Sequence, residues 1–332
     1  MRPTIRDVAK RAGVSIATVS RVVRDSESVA ASTRDRVTAA IEELQYTPSQ
    51  LGRQLAERRH AANGIVFPDL SGPYFAEVVL GYEAVAAELG RSVLILSTHG
   101  RDAAPSMVTD MAGRCDGLVI LGRTVPDDVV ERLAARRTPV VLLARPPIGD
   151  VDSVNAENTH AAEQLTAHVL EQGARRLVFV GDPDDSPDVA ARLAGIRRVM
   201  DAHPEASLRL TRVQGYDEAT GEAVARTAQA AADLPDAFLC ANDELALGLM
   251  AGLRAAGVDV PGRVKVTGWD DVMAARYAGL TTVRQPMREL GATAAQLLDE
   301  LITGSRTEPR HELLPTELVV RTSTTNPWKD NG

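Results

Sequence analysis

A short stretch near the start of the chain, TIRDVAKRAGVSIATVSRVVRD over residues 4–25, combines five basic residues with several hydroxyl side chains. Guanidinium groups donate paired hydrogen bonds to guanine edges, and hydroxyl groups donate to phosphate oxygens. Residues 1–60 hold 11 basic and 7 acidic residues, although the whole chain has a formal net charge of −8. A basic segment on an acidic chain favours a polyanionic partner for the N-terminal part alone.

A second group of polar side chains stands much later in the sequence. Asn242 follows the apolar run AFLCA, Asp270 follows VKVTGW, and Arg192 lies in the helical stretch AARLAG. The carboxyl ends of parallel strands meet at one edge of an open sheet, where such sheets bind ligands. The planar guanidinium group of an arginine such as Arg192 is suited to two adjacent hydroxyl groups or to a carboxylate. These residues predict a site for a small polar molecule.

Three short helices are predicted to present the basic segment. Thr4 and Asp7 form a capping-box pattern for the first helix, and Gly13 supplies the turn behind it. Ser15 is predicted to cap a second helix that runs to about residue 23, and Ser32 to cap a third. The third helix carries an apolar stripe made of Val37, Ala40, Ile41 and Leu44.

Residues 46–60, YTPSQLGRQLAERRH, are predicted to be a hinge or linker. Pro48 ends the third helix, and Ser49 can cap a short fourth helix that contains Gly52. A helix of about two turns is marginal in water, so we expect this segment to be helical or disordered according to its surroundings.

From residue 61 onward, apolar strand-like runs alternate with helical stretches. The runs are GIVFPDL, SVLILST, DGLVIL, PVVLLA, RLVFVGD, AFLCAND and VKVTGWDD. Such alternation predicts parallel sheets with helices on both faces. About 270 residues of this pattern exceed a single sheet, so two similar lobes are expected.

Composition excludes several classes of protein. No run of 18 apolar residues predicts a membrane span, and the N-terminus does not read as a signal peptide. Cys115 and Cys240 have no metal-type spacing and are predicted to be buried thiols in a reducing cytoplasm. No metal or cofactor is predicted.

The spacing of the opening segment matches a helix-turn-helix. Ala9 stands four residues before Gly13, where two helices cross, and Val19 stands six residues after it, in the core between them. Together with VSIATVSRVV, this closely resembles the N-terminal domain of the LacI/GalR family of bacterial transcriptional regulators. The resemblance extends over almost the whole chain, through FPDLSGPYFAEVVLGYEAVAAELG, LCANDELALGLMAGLRAAG, VKVTGWDD and LTTVRQPMRELG.

The resemblance implies an all-α helix-turn-helix domain followed by an α/β effector domain with the two-lobed fold of type I periplasmic binding proteins. Ligand would occupy the cleft between the lobes, and three segments of chain would cross between them. The implied boundaries are residues 1–45 for the DNA-binding domain, 46–60 for the hinge and 61–326 for the effector domain. Within the effector domain, the N-lobe would comprise residues 61–156 and 286–311. The C-lobe would comprise residues 157–285 and 312–326.

In the family, the second helix reads bases in the major groove. The matching positions here are Ile16, Ala17 and Arg21, of which Arg21 can donate two hydrogen bonds to guanine. The alternative for Arg21 is an ordinary solvated charge. Further contacts, mostly to the DNA backbone, are expected from Arg2, Thr4, Ser15, Thr18, Ser20, Thr33 and Arg34. Arg24 replaces the usual asparagine, which puts local phosphate contacts in doubt.

In the hinge, the resemblance places Leu55 where family dimers wedge a leucine from each chain into the minor groove, with Leu51 and Gly52 one turn earlier. The alternative is that Leu51 and Leu55 pack on the body. Gly52 replaces the usual alanine, which makes the helix less favourable by about 0.8–1 kcal/mol.

The family's cleft positions match aromatic and polar residues of this chain. The resemblance assigns effector contacts to Asp69, Tyr74, Phe75, Arg192, Tyr216, Asn242, Trp269 and Asp270. Stacking on a sugar would account for the aromatic residues, and ordinary packing is the alternative. Asp243 is expected to cap the helix after Asn242. Ala144 replaces a frequent aspartate, which removes one expected ligand contact, and Asn63 replaces an apolar strand residue.

Together these matches predict a homodimeric regulator, most simply a repressor, that binds a pseudo-palindromic operator in double-stranded DNA. Arg192, Asn242 and Asp270 favour a sugar over a purine-like effector. The sugar would change the spacing of the hinges allosterically, and nothing in the sequence tells whether it weakens or strengthens DNA binding. No leucine heptad near the C-terminus predicts a tetramer.

Two other classes of protein remain open at this point. A transporter's solute-binding protein would share the body, but it requires export and has no use for a helix-turn-helix. An enzyme could use the clustered carboxylates of GDPDDSPD, at residues 181–188, yet no phosphate loop or catalytic triad pattern accompanies them.

Overall fold

The computed structural model describes residues 3–23, 29–46, 60–98, 100–231 and 233–325. They belong to two compact units, Met1–His60 and Ala61–Gly332. Among its described residues, the first unit contains the helices α1 (Ile5–Ala12), α2 (Ile16–Val23) and α3 (Ala31–Glu43).

The second unit alternates strands and helices. In chain order, its elements are β1 (Ala62–Phe67), α4 (Pro73–Glu88), β2 (Ser92–Ser97), α5 (Ala104–Ala112), β3 (Gly117–Leu121), α6 (Asp127–Ala135), β4 (Val140–Leu143), β5 (Asp152–Ala156), α7 (Thr159–Glu171), β6 (Arg176–Val180), α8 (Pro187–Asp201), β7 (Ser207–Thr211), α9 (Glu218–Ala230), β8 (Ala237–Cys240), α10 (Asp243–Ala255), β9 (Lys265–Thr267), α11 (Met273–Ala278), β10 (Thr282–Arg284), α12 (Met287–Thr303), β11 (His311–Leu314) and β12 (Glu317–Val319).

The predicted start and end signals of α1 are present. The amide and hydroxyl of Thr4 both donate to one carboxylate oxygen of Asp7, at 2.8 and 2.7 Å. These hydrogen bonds from Thr4 hold the pKa of Asp7 below its ordinary value. Gly13, at a φ of 66°, lets the chain turn after α1 because a residue without a side chain adopts this left-handed conformation readily.

The predicted cap of the third helix is wrong. The helix begins at Ala31, after Ala30, so Ser32 lies inside its first turn. The carbonyl oxygen of Ala30 accepts the first helical bonds, from the amides of Thr33 and Arg34 at 2.9 and 3.0 Å.

One apolar core holds the three helices together. Val8, Val19 and Val37, one from each helix, are fully buried. Of the predicted stripe on α3, Val37 and Ala40 are buried, while Ile41 and Leu44 pack against the core from a half-buried position. The opposite surfaces of the helices are consequently free to carry charge.

The second unit, which we also call the effector unit, contains two parallel sheets, as the alternating pattern predicts. The six-stranded sheet has the order β11-β5-β4-β3-β1-β2, and the four-stranded sheet has the order β7-β6-β8-β9. A two-stranded antiparallel ribbon pairs β10 with β12. We call the part around the six-stranded sheet the N-lobe and the part around the four-stranded sheet the C-lobe.

Strand β11 departs from the predicted lobe boundary. All of His311–Leu314 pairs in parallel with β5 in the six-stranded sheet. The expected C-lobe segment 312–326 therefore begins too early, because its first three residues belong to the N-lobe. Within the described residues, three connections join the lobes: one after β5, one after β10 and one after β11.

Small residues bring helices into direct backbone contact on the N-lobe. A methyl group at Gly81 of α4 would lie 1.9 Å from the carbonyl oxygen of Arg288, and one at Gly291 of α12 would lie 2.0 Å from that of Val78. No larger side chain fits at such distances. The two glycines therefore fix how closely α4 and α12 approach.

Two further expectations concern buried polar and thiol groups. Asn63 is the second residue of β1 and is completely buried. Cys115 and Cys240 are both buried free thiols, and burial raises the pKa of each. Raised pKa values make these thiols poor nucleophiles, which fits the predicted packing role.

Candidate functional site

The outer face of α2 is a candidate nucleic-acid interface. Ile16, Ala17 and Arg21 are exposed there, while Val19 and Val22 are buried on the opposite face. Because residues four apart stand one above the other on a helix, Ala17 and Arg21 share one surface, and Ile16 is exposed beside Ala17 in the first turn. Ile16 is 44 % exposed, so its apolar side chain is accessible to a partner. This face combines an apolar contact with a guanidinium fork.

Hydroxyl groups surround the start of this helix. The Ser15 hydroxyl accepts the Thr18 amide at 3.1 Å and shares a hydrogen bond with the Thr18 hydroxyl at 2.9 Å. Ser15 is thus the predicted cap of α2. Ser20 is half-buried one turn further along, and Thr33 and Arg34 are half-buried in the first turn of α3.

We expect Ser15→Ala to destabilise the N-terminal unit by about 1 kcal/mol, because a helix N-cap side chain would be lost. Circular dichroism during thermal unfolding of full-length protein measures this change. Ser32→Ala is the matched control, since Ser32 lies inside a helix and caps nothing. Equal destabilisation by the two substitutions would contradict the capping role of Ser15.

Several expected DNA contacts lie outside the described residues. These are Arg2, Arg24, Leu51, Gly52 and Leu55, together with most of the hinge. Their assignment therefore stays a prediction from the family resemblance.

A cleft of about 790 Å³ opens between the lobes of the effector unit. Its walls are formed by the segments that follow the carboxyl ends of β1, β3 and β4 in the N-lobe and of β6, β7, β8 and β9 in the C-lobe. This is the edge at which parallel sheets bind ligands. The volume is typical of small-molecule sites.

Arg192 of α8 is the central cation of the cleft. Its side chain is 6 % exposed. The Nε group donates to Oδ1 of Asn158 at 2.8 Å, and Nη1 donates to the carbonyl oxygen of Ala241. The guanidinium carbon lies 4.4 Å from the ring centre of Trp269. These contacts hold the planar group in one orientation, which is what recognition of paired hydroxyls requires.

Trp269 supports the cleft from behind. The indole is 1 % exposed and is not part of the cleft wall. Its ring packs on the guanidinium of Arg192, and contact between Trp269 and the effector stays a prediction.

Asp270 occupies a strained turn at the base of the cleft. Its φ of 113° is rare for a residue with a side chain, and such strain is concentrated at functional sites. The side-chain nitrogen Nε2 of Gln285 donates a hydrogen bond to Oδ1 of Asp270. The next residue, Asp271, accepts from Arg284 at 2.8 Å and from Arg321 at 2.6 Å, which fastens the turn. Burial raises the pKa of Asp270 well above its ordinary value, and Arg192 opposes that rise.

The aromatic residues of the N-lobe wall stand at the start of α4. Tyr74 and Phe75 line the cleft with ring centres 5.4 Å apart, and Phe75 packs edge-on against Phe67 at 5.6 Å. Burial and the charges of Asp188 and Asp270 raise the pKa of Tyr74, so its phenol stays a neutral hydrogen-bonding group.

Asn242 lines the cleft but is already engaged. Its oxygen accepts the Leu245 amide at 3.2 Å, and its nitrogen donates to the Tyr216 carbonyl at 2.8 Å and to Glu244 at 3.0 Å. Asn242 is therefore the cap of α10, and the expectation that Asp243 caps this helix is wrong. The Tyr216 hydroxyl contacts the backbone of Asp182 at 3.3 Å, and burial raises the pKa of Tyr216 to about 12.

Asp69 and Ala144 both lie on the N-lobe wall. The carboxylate of Asp69 accepts the amide and hydroxyl of Ser71 at 2.7 and 2.6 Å, which makes it a turn-forming residue as well as a wall residue. Ala144 follows β4 at a positive φ of 53°.

The structure adds cleft residues that the sequence did not single out. Asp188, Glu244 and Gln285 all line the cleft, and the last two are buried. Burial raises the pKa of Asp188, and Arg192 opposes that rise. Spacing gave one signal: Asp188 stands four residues before Arg192, so both lie on the same face of α8.

Asp243 is a buried carboxyl group directly below the cleft. It accepts the Val272 amide at 2.9 Å and the Thr282 hydroxyl at 2.6 Å. Burial is the main cause that raises its pKa from 3.8 to about 7. The folded protein therefore holds this proton more tightly than the unfolded chain. The stabilising contribution of Asp243 is complete below about pH 4 and is lost as the pH rises toward 7.

We expect Asp243→Asn to remove this loss and to stabilise the protein above pH 7 by about 1–3 kcal/mol. The amide oxygen can still accept from Val272, and the Thr282 hydroxyl can turn to accept from the new NH2 group. Urea unfolding between pH 4.5 and 8 measures the change. The control is Asp128→Asn on the exposed face of α6. A pH profile of Asp243→Asn that parallels the wild type would contradict the assignment.

The described residues contain no helix that is long and apolar enough to cross a membrane. Among the same residues, no cluster of His, Cys, Asp or Glu has the arrangement of a metal site.

Comparison with known proteins matches both units. Residues 4–49 match the model for bacterial regulatory proteins of the lacI family, and residues 166–324 match a periplasmic binding protein-like domain. The catabolite control protein A of Staphylococcus aureus is 29 % identical over 98 % of this chain and 100 % of its own length.

Two solved structures extend the match to three dimensions. A Lac repressor dimer bound to operator and an anti-inducer is 28 % identical, with a TM-score of 0.87 over 98 % of this chain and 100 % of that chain. A complex of the transcriptional regulator CelR with cellobiose is 30 % identical, with a TM-score of 0.72 over 97 % of this chain and 100 % of that chain. The predicted family is confirmed by these matches: the chain belongs to the LacI family of bacterial regulatory proteins.

Proposed function

We propose that this protein is a transcriptional regulator, most simply a repressor, whose affinity for an operator changes when a sugar binds in the cleft. The observation that carries the proposal is the cleft itself, in which Arg192, Asp270 and Gln285 are buried and aimed at a space of about 790 Å³. Buried polar groups of this kind require a polar ligand, and the same chain begins with a helix-turn-helix.

The DNA contact is proposed to use the exposed face of α2 in the major groove. Arg21 supplies bidentate recognition of guanine, and Ile16 and Ala17 supply apolar contact, for example with a thymine methyl group. The hydroxyl and cationic groups around the starts of α1, α2 and α3 contact phosphates and set the register without reading sequence. Leu55, with Leu51 and Gly52, is proposed to enter the minor groove from the hinge at residues 46–60.

The protein is proposed to act as a homodimer, as the Lac repressor dimer does. Exposed apolar side chains that a second copy could cover occur on both lobes. They are Leu80, Leu94 and Ile95 on the N-lobe and Met273 and Tyr277 on the C-lobe. The last two stand four residues apart on α11 and are 76 % and 81 % exposed. A two-fold dimer implies a pseudo-palindromic operator.

The ligand is proposed to be a sugar because the cleft joins planar hydrogen-bonding groups to aromatic walls. Arg192 and Asp270 offer charged partners for hydroxyl groups, and Tyr74, Phe75 and Tyr216 offer ring surfaces for C–H groups. CelR, which shares the fold, is solved with cellobiose. The three connections between the lobes are the natural hinges for closure on a ligand.

The protein is proposed not to be an enzyme, and to act in the cytoplasm where its DNA lies. The loop of GDPDDSPD is occupied by structural contacts: Arg212 pairs with Asp182 and with Asp184, the latter at 2.7 Å. Asp182 and Asp184 therefore have a structural role, while Asp185 and Asp188 of the same stretch line the cleft. A solute-binding protein would have no use for the exposed recognition face.

Selection of bound sequences from a pool of random duplexes by the full-length protein tests the proposal. We expect enrichment of one palindrome with strong salt dependence, and a changed yield of that palindrome when a sugar such as cellobiose is added. The same incubations should leave the sugar chemically intact. Turnover of the sugar without sequence enrichment would overturn the proposal in favour of an enzyme.

A further inference from the structure

The walls of the cleft have an excess of acidic groups. Among its described lining residues, seven are carboxylic acids, two are arginines, and none is lysine or histidine. The acids are Asp69, Asp185, Asp188, Asp217, Glu218, Glu244 and Asp270, and the arginines are Arg123 and Arg192. An anionic ligand entering this space would meet the like charges of the more exposed acids, which are Asp69 on the N-lobe wall and Asp185, Asp217 and Glu218 on the C-lobe wall.

The innermost groups show the same imbalance. Glu244 and Asp270 are 8 % and 5 % exposed, and Asp188 shares the face of α8 with Arg192. The charges of Asp188 and Asp270 therefore both act on one guanidinium. Two of the nitrogen atoms of that guanidinium, Nε and Nη1, already donate to Asn158 and Ala241. A phosphate or a carboxylate would have to compete with Asn158, Ala241 and the neighbouring acids for this one guanidinium.

The inner part of the cleft contains a hydrogen-bond acceptor to which no described residue donates, which favours a ligand that donates hydrogen bonds. Gln285 is 4 % exposed, and its Oε1 atom has no partner among the described residues. Its nitrogen is directed to Asp270, so the free oxygen is available to a ligand that donates. Carboxylate oxygens add further acceptors. Sugar hydroxyls donate hydrogen bonds, whereas a phosphate dianion or a carboxylate has none to give.

Helix N-termini at the cleft do not offset the acidity, because acidic or capping side chains of the protein stand at the starts of α8, α10 and α4. Asp188 stands in the first turn of α8, and Asn242 caps α10, whose first turn also contains Glu244. The start of α4 is covered as well: a methyl group at Gly72 would lie 2.6 Å from Oε1 of Glu244. An anion would have to displace Asn242 and Glu244, or lie beside the carboxyl group of Asp188, to reach the backbone amides.

We infer that the cleft selects an uncharged, hydroxyl-rich sugar and rejects the phosphorylated or carboxylated form of the same sugar. This inference rests on the proposed sugar-responsive function and narrows its ligand class. The charge of the ligand is the discriminating property, because one ring system can be offered with and without a negative group.

Isothermal titration of the full-length protein with matched pairs tests the inference. The pairs are cellobiose with cellobionic acid, glucose with glucose 6-phosphate, and ribose with ribose 5-phosphate. For any pair that binds, we expect the neutral member to bind at least about tenfold more tightly than its anionic partner. An anionic member that binds as tightly as its neutral partner, or more tightly, would overturn the inference.

A charge-neutral variant separates charge from shape. Asp188→Asn keeps the size of the side chain and removes one inner negative charge, so the preference for the neutral member should shrink by about threefold or more. Asp110→Asn on the exposed face of α5 is the control and should leave the ratio of the two affinities unchanged. An unchanged ratio in Asp188→Asn would overturn the electrostatic basis of the inference.

Failure of the inference and failure of the proposed function look different. Preferential binding of an anionic member removes the inference, while regulation by a small molecule stands. Binding of no member of any pair counts against the proposed sugar effector, and the inference falls with it.

Discussion

Arg192→Ala is expected to abolish the response to the effector while leaving DNA binding intact. The guanidinium is the one cation buried among the described inner groups of the cleft, and its loss leaves Asp188 and Asp270 uncompensated. A hydrogen bond between the ligand and a charged group contributes about 1.5–3 kcal/mol to the binding free energy, and this contribution is lost with the guanidinium. Isothermal titration with the effector, and fluorescence anisotropy with the selected operator, measure the two properties separately.

Arg192→Lys should fail to restore the response. An ammonium group cannot donate to Asn158 and Ala241 in the planar arrangement of the guanidinium, nor stack on Trp269 in the same way. Arg226→Ala is the matched control, because Arg226 is exposed on α9 and pairs only weakly with Glu222 at 3.5 Å. Retained effector affinity in Arg192→Ala would refute the central place of Arg192 in the cleft.

Arg21→Ala is expected to lower operator affinity and to relax base preference at one position in each half-site. Loss of a bidentate contact to guanine removes about 1–3 kcal/mol of discrimination against the wrong base. The fold should survive because Arg21 is exposed and packs against no core residue. Anisotropy titrations with the selected operator, and with duplexes altered at each guanine in turn, reveal which position has lost its preference.

Lys10→Ala separates the guanidinium's chemistry from its charge. Lys10 is exposed on α1 and carries the same charge as Arg21. Its loss should weaken binding to all duplexes alike and reduce the salt dependence, without any change in base preference. If Arg21→Ala behaved in the same way as Lys10→Ala, Arg21 would contact only phosphate.

The helices of the N-terminal unit could be predicted well because the residues that mark their ends lie close to them in the sequence. Thr4 with Asp7, Gly13 and Ser15 each act within three or four residues, so the sequence alone places the ends of α1 and the start of α2. The cap of α3 could not be placed in this way. Ser32 has the right side chain, but the backbone carbonyl of Ala30 starts the helix earlier, and no side-chain signal marks that event.

The strands of the body were predictable where they are apolar throughout. Strands with polar residues, such as β5 (DSVNA) and β7 (SLRLT), give no such signal, and they form because a neighbouring strand offers a pairing edge. Strand β11 illustrates the same limit. Its place beside β5 depends on pairing between residues more than 150 positions apart, which local patterns do not encode.

The residues that meet at the cleft were predictable from the sequence, but the structural role of each residue was not. Arg192, Asn242 and Asp270 do come together at the carboxyl ends of strands. Trp269 lies behind Arg192, and Asn242 caps a helix where Asp243 was expected to do so. Such roles depend on burial and on orientation across about 100 residues of chain, and these are properties of the fold.

The most direct test of coupling between the ligand cleft and the DNA-binding helices is a reciprocal binding measurement on the full-length protein. Operator affinity is measured with and without saturating effector, and effector affinity is measured with and without saturating operator. Linkage requires the two ratios to be equal, and we expect both to lie between about 5-fold and 150-fold. If the effector binds while operator affinity does not change, ligand binding in the cleft does not control DNA binding.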